Sequence, residues 1–229
     1  MKYDIVFISY KEPNAAENYA ALKERFPMTK PVDGVKGIHQ AHIAAAKKCF
    51  TKMFWIVDGD AQVLDSFNFD YEVPDHQLDH VHVWRSKNPI NGLEYGYGGV
   101  KLFPRRMTIN MDTSKPDMTT SISDNFRVMN EISNITAFNT DPFNTWKSAF
   151  RECAKLSSKS IQGQLNIETE DRLAAWLNPI SDALYRNEAK RGAQEGREYG
   201  EKHAQSPQDL RRINDFDWLY EQFSNNTLG

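Results

Sequence analysis

The chain has 229 residues, enough to bury a substantial core as one large domain or as one domain with an appended subdomain. Its 28 basic and 31 acidic residues leave a formal charge of -3, so no global pull toward nucleic acid or membrane exists, and only local patches remain to be weighed. Two cysteines, Cys49 and Cys153, are too few for a disulfide framework and point to a reducing compartment. The N-terminal apolar run is short and contains Asp4, and no stretch approaches the roughly 18 apolar residues of a membrane span. A cytoplasmic protein is expected, in which the sequons Asn134-Ile135-Thr136 and Asn225-Asn226-Thr227 arise by chance.

Tyr3 to Tyr10 is a nearly continuous run of β-branched and aromatic residues, which fits a strand buried on both faces. Asn14 to Phe26 reads as a helix with Ala15, Tyr19, Leu22 and Phe26 on one stripe. A connector from Pro27 holds a short strand and ends in the Asp33-Gly34 turn, and His39 to Phe50 forms a second, alanine-rich helix. Met53 to Val57 is a short apolar strand that runs into Asp58-Gly59-Asp60. Strand, helix, strand, helix, strand predicts an α/β fold with an open, mostly parallel sheet flanked by helices. Such sheets bind ligands at the carboxyl ends of their strands, where Tyr10, Asp33 and Asp58 all fall.

From His80 the pattern is mixed: a strand to Trp84, a break at Asn88-Pro89 and at glycines 92, 96, 98 and 99, and a strand over Val100 to Phe103. Asp141-Pro142 opens a helix carrying Phe143, Trp146, Phe150 and Leu156. Leu173 to Leu184 is amphipathic with a break near Asn178-Pro179, and Ser206-Pro207 starts a last helix reaching Trp218 to Phe223. The polar stretch from Arg186 to Gln205 reads either as a solvated helix or as a linker. The expected division is a sheet domain over residues 1–140 and a mainly helical part over 141–229 packed on it.

Asp58 and Asp60, directly after a buried-type strand, carry the strongest chemical signal. Two carboxylates at i and i+2 around a glycine suit a hard cation such as Mg²⁺ or Mn²⁺, which would offset the charge that grows on a departing diphosphate. The competing reading is a plain turn, since Asp-Gly is a common turn pair. His80 and His82 share a strand face and with Asp79 form a weaker metal candidate. His39 and His42, on one helical face, are read as cover for the sheet edge. Between Arg85 and Arg106 lie Arg85, Lys87, Lys101, Arg105 and Arg106 against the single acid Glu94, interleaved with Tyr95, Tyr97 and Phe103 beside Trp84. Such a segment suits phosphates and stacked bases, or it is a solvated rim around core aromatics.

Residues 3–64 resemble the nucleotide-binding half of a GT-A glycosyltransferase, through DIVFISY, the Asp33 turn, the alanine-rich helix and FWIVDGD with its DxD motif. The resemblance implies that Asp58 and Asp60 hold Mn²⁺ or Mg²⁺ on the diphosphate of a nucleotide sugar, most simply a uridine-diphosphate sugar. It also implies that Tyr10, Glu12 and Asp33 contact the nucleoside, with Lys36 assisting in charge. His203 matches the late histidine that such enzymes often add as a third metal ligand, and Asp141 matches the base of an inverting enzyme, with Glu152 and Asp124 as reserves; Asp141 also reads as a simple N-cap. The later half, with Trp84-Arg85, Tyr95 to Gly99 and Thr140-Asp141-Pro142-Phe143, is similar to small glycosyltransferases of tailed phages. Some of those act on 5-hydroxymethylcytosine in phage DNA, so DNA is the implied acceptor and the host cytoplasm the implied location. A nucleotidyltransferase is disfavoured because SYKEPNAAEN lacks the glycines of a phosphate loop, and a non-catalytic nucleotide or DNA binder remains open.

Overall fold

The computed structural model describes residues 2–96, 98–115, 117–159, 166–204, 206 and 208–225. The chain divides into two compact units, Met1–Asn88 with Glu94–Ala137, and Pro89–Leu93 with Phe138–Gly229.

In the first unit, β1 (Asp4–Ser9) is the inner strand of a parallel trio, buried almost throughout as its continuous apolar sequence requires. It pairs in parallel with β2 (Lys30–Asp33) and β3 (Met53–Asp58), and the crossovers are α1 (Ala15–Arg25) and α2 (Ile38–Lys48). The three strands end side by side, with Ser9 in register with Asp33 and Ile8 with Asp58. Alternation along them sorts the core into two layers. Val6, Ile8, Phe54 and Ile56 pack with Ala41, Ala45 and Ala46 of α2 on one face. Ile5, Phe7, Trp55 and Val57 pack with Leu22 of α1 and with Phe67, Phe69 and Trp84 on the other.

Past β3 the sheet departs from the expected open parallel form. It contains β4 (Ala61–Val63), β5 (Val81–Lys87), β6 (Glu94–Tyr95), β7 (Val100–Pro104) and β8 (Phe126–Thr136), in the order β2-β1-β3-β7-β5-β8-β4 with β6 on β5. β7 runs antiparallel to both of its neighbours, β4 runs antiparallel to β8, and β5 and β8 are parallel. The result is a curled, mixed sheet flanked by helices. The cause is the glycine-rich segment after β5: the chain folds back as β6 and continues in the same direction as β7, so a hairpin-like reversal replaces a helical crossover. Two short helices, α3 (Arg105–Ile109) and α4 (Met118–Ile122), complete the unit.

The second unit is helical: α5 (Pro142–Ser158), α6 (Asn166–Leu177), α7 (Arg186–His203) and α8 (Phe216–Asn225), with a 3-10 turn over Asp209–Asn214. α6 starts earlier than the amphipathic pattern suggested and stops before Asn178-Pro179, where a proline disfavours helix. The last helix starts at Phe216, because the 3-10 turn takes up the preceding residues; Pro207, its expected start, lies outside the described residues.

The polar tract from Arg186 is an 18-residue helix through His203, and Gln205 lies outside the described residues. Its buried stripe is Ala189, Gly192, Ala193, Gly196 and Gly200, so its apolar face is made of small residues that a hydropathy pattern does not register. A methyl group at Gly192 or Gly196 would collide with the carbonyl oxygens of Trp146 and Phe150, so the glycines set how closely α7 lies on α5. Among the described residues no helix is long and apolar enough to cross a membrane.

This packing makes a test. Gly196→Ala gains up to about 1 kcal/mol of helix propensity, yet it must displace the α5 backbone. The expected outcome is a net loss of about 1–3 kcal/mol in chemical denaturation; unchanged or raised stability would show that α5 and α7 are not so closely packed.

Candidate functional site

The parallel trio delivers three polar termini to one edge of the first unit. At the end of β1, Ser9 Oγ donates to Asp33 Oδ1 at 2.7 Å, and its carbonyl accepts from Gly34 N at 3.0 Å. Gly34 adopts φ +70°, which lets the chain turn directly after Asp33. Beyond Ser9, the Tyr10 N–H donates to Glu12 Oε2 at 2.5 Å, and the Glu12 carbonyl accepts from Ala15 N at 3.1 Å as α1 begins. The Glu12 carboxylate is thereby laid against Gly59. A Cβ built on Gly59 would stand 2.7 Å from Glu12 Oε2 and 3.1 Å from Ser9 Cβ, so a side chain there would have to displace the Glu12 carboxylate. Asn18 Nδ2 donates to the Gly59 carbonyl at 2.9 Å, and Ala137 N to the Asp60 carbonyl at 2.7 Å. Asp58-Gly59-Asp60 is therefore a turn between β3 and β4, with its backbone held by these bonds.

Tyr10, Glu12, Asp33, Asp58 and Asp60 thus meet at one edge, through bonds that Ser9 and Asn18 supply. Lys36 is exposed in the loop that follows Asp33. Neither Ser9 nor Asn18 was legible as a site residue, since a serine closing a strand and an asparagine on a helix carry no chemical signature of their own.

A further residue was legible in principle. Lys101 interrupts the apolar run Val100-Lys101-Leu102-Phe103, and a lysine inside a buried strand needs a partner. It is 5% exposed, and its Nζ donates to both Asp58 oxygens at 2.9 and 2.8 Å. Burial raises the Asp58 carboxyl above its usual range, while the Lys101 ammonium pulls against that rise. The strand geometry holds the pair: Asp58 N donates to the Gly99 carbonyl at 2.9 Å, joining β3 to the turn before β7. Behind Gly99 lies Asn134, which accepts from Ser86 Oγ at 2.7 Å and from Ser133 Oγ at 2.8 Å in a buried polar layer. Asn134 is fully buried, out of reach of a glycosylating enzyme. Under Lys101, burial and the neighbouring ammonium push His42 down to about 3, so it is neutral and adds no charge.

The remaining candidates have local partners of their own. In the second unit Asp141 is the N-cap of α5, accepting from Asn144 N at 2.8 Å, Asn144 Nδ2 at 2.5 Å and Thr140 Oγ1 at 3.1 Å. Burial pushes its carboxyl up, but these donors and Lys147 outweigh that and hold it below the usual range. Glu152 pairs with Arg172, and Asp124 is exposed and pairs with Lys115. His203, at the end of α7, lies beside the Tyr199 ring at a tilt of 41°. His82 is buried against Gln77 and His80 bonds to Asp79, so each imidazole has its own partner.

The basic, aromatic segment is split between the two ends of the sheet. Arg85 and Lys87 end β5 on the Asp58 side, with Tyr95 paired to Ser86. Arg105 and Arg106 follow the far end of the antiparallel β7, where Arg105 Nε donates to the Ala46 carbonyl. Lys101, Trp84 and Phe103 are buried, and Tyr97 lies outside the described residues.

The carboxylates of Asp58 and Asp60 are hard oxygen donors of the kind that Mg²⁺ and Mn²⁺ prefer, although the Lys101 ammonium already engages both Asp58 oxygens. Among the described residues no group of three His, Cys, Asp or Glu side chains gathers to hold a metal. The remaining ligands would have to be water and a bound substrate. No family model matches the chain, and no curated protein matches it in sequence.

The N-cap role of Asp141 can be separated from chemistry. Asp141→Ala is expected to cost about 1 kcal/mol of stability, whereas Asp141→Asn, an equally good cap, costs little. Equal losses in thermal denaturation of the two variants would show that the carboxylate, not the cap, is what α5 requires.

Proposed function

We propose that the protein is a GT-A-like, metal-dependent glycosyltransferase that moves a sugar from a nucleotide sugar, a uridine-diphosphate sugar being the simplest donor, to an acceptor hydroxyl. The observation that carries this reading is the convergence of Asp58, Asp60, Glu12 and Asp33 on the carboxyl edge of the β2-β1-β3 trio, where open α/β sheets hold nucleotides. The edge is also suited to a diphosphate: α2, with Gly37 at its N-cap, has no acid in its first turn and no side-chain cap, and it follows the exposed Lys36.

In the proposed reaction the acceptor oxygen attacks the anomeric carbon of the donor, and the bond from that carbon to the diphosphate oxygen breaks. The bonding electrons leave with the nucleoside diphosphate, and the acceptor proton passes to a carboxylate base. Asp33, oriented by Ser9, and Tyr10 would hold the nucleoside, and Glu12 would order the turn around Gly59. Asp58 and Asp60 would hold Mn²⁺ or Mg²⁺, which supplies positive charge to the leaving diphosphate when bound. Asp141 is the proposed base, and Asp141→Asn separates this role from capping because it keeps the cap and removes the base. His203 is proposed as a further metal ligand.

The proposed acceptor is a hydroxyl on a modified base of DNA, 5-hydroxymethylcytosine fitting the phage resemblance. Arg85, Lys87 and Tyr95, on the Asp58 side of the sheet, favour contact with a nucleic-acid strand there. A base within a duplex would have to be turned out to reach the site.

Calorimetric titration of uridine diphosphate, with and without Mn²⁺, tests the donor half of this reading. Binding is expected to need Mn²⁺ and to weaken by at least about tenfold in Asp60→Ala, a loss of about 1.4 kcal/mol. No binding under any condition would remove the glycosyltransferase reading and leave Asp58-Gly59-Asp60 as a turn.

A further inference from the structure

Lys101 is more than a neutraliser of Asp58. Its ammonium engages both oxygens of the carboxylate that the proposed metal requires, at 2.9 and 2.8 Å. Its stem passes beside the preceding turn, where Gly98 has φ +80°. Lys101 is 5% exposed, so its charge has little access to water and depends on an anion beside it. A divalent cation approaching Asp58 would meet a fixed positive charge already seated on its ligand. The ion must compete with the ammonium for the Asp58 oxygens, and a buried ammonium that is displaced needs another anion to receive it. The diphosphate of a donor is such an anion and would arrive at the same edge.

We propose that Lys101 is an internal gate on the metal site, which keeps a divalent ion off Asp58 until a nucleoside diphosphate arrives to accept the Lys101 ammonium. The inference rests on the donor-site reading above. In the resting protein the Asp58–Lys101 pair is closed and Asp58 is a poor metal ligand. When donor and metal come together, the ammonium turns to the diphosphate and Asp58 is released to the ion. Metal and nucleotide therefore promote one another's binding by the same factor, and much of that factor passes through one side chain.

The test is Mn²⁺ binding to the full chain, followed by electron paramagnetic resonance of the free ion and by calorimetry, with and without uridine diphosphate. Wild-type protein is expected to bind Mn²⁺ weakly alone and at least tenfold more tightly with the nucleotide. Lys101→Met is expected to bind Mn²⁺ alone at least tenfold more tightly than wild type, because Asp58 is left without a counter-charge, and to lose most of the nucleotide effect. Lys101→Arg, which restores a cation, should return toward wild type.

Equal Mn²⁺ affinity of wild type and Lys101→Met, each shown to be folded by circular dichroism, would overturn the gate. Should the methionine variant not fold, the wild-type data still decide: Mn²⁺ bound as tightly without nucleotide as with it also overturns the gate. Absence of nucleotide binding to wild type at any Mn²⁺ concentration sinks the donor-site reading itself, and the gate with it. Nucleotide binding that is uncoupled from Mn²⁺ sinks the gate alone.

Discussion

The ion pair between Asp58 and Lys101 stands at the seam where the sheet changes direction, and it constrains both sides of that seam. β3 runs with β1, β7 runs against it, and the pair ties the end of the first to the start of the second. A lysine this far from water is tolerated only with a carboxylate on it, and Asp58, itself half-buried, supplies that carboxylate. Removing either partner would leave the other uncompensated, so the two positions are coupled whatever the site binds. The polar layer of Ser86, Ser133 and Asn134 behind Gly99 extends this arrangement inward with hydrogen bonds in place of charges. The apolar layers around Trp55 and Phe54 supply the stiffness that keeps the edge in place.

The parallel trio explains why the acidic residues meet. In-register parallel strands finish at the same level, so the residue that closes each strand faces the same edge whatever its sequence separation. Asp33 and Asp58 are 25 positions apart in the chain but belong to strands flanking β1, and the turn at Gly59 brings Glu12 to within contact of the DxD turn. The site is thus a product of topology first and of local chemistry second. This is also why a binding function is the most direct reading of the edge, with the transfer chemistry proposed on top of it.

Much of this was readable from residues whose local pattern and tertiary role agree. β1, α1, α2 and β3 follow the periodicity of their apolar positions, and Asp33 and Asp58 follow from where those strands stop. Failures came where a buried face is not apolar. β8 hides because Ser133, Asn134 and Thr136 are interior polar residues, so its inward face does not look hydrophobic. The burial of α7, as distinct from its helicity, hides because its inward face is glycine and alanine, which score as neutral although they let it lie close on α5. The antiparallel return of β7 was not legible, since apolar content does not report strand direction. The pairing of Lys101 with Asp58 depends on that direction and was lost with it.

Hydrogen exchange read by mass spectrometry, on the whole protein with and without uridine diphosphate and Mn²⁺, tests the placement of the donor site most directly. The account predicts slowed exchange in residues 9–12, 33–38, 58–60 and 98–101, the segments that close the three parallel strands and carry Lys101. Slowing confined to the opposite edge, in the groove lined by Phe50, Lys52, His76, Arg105 and Arg106, would contradict it, as would no slowing at all.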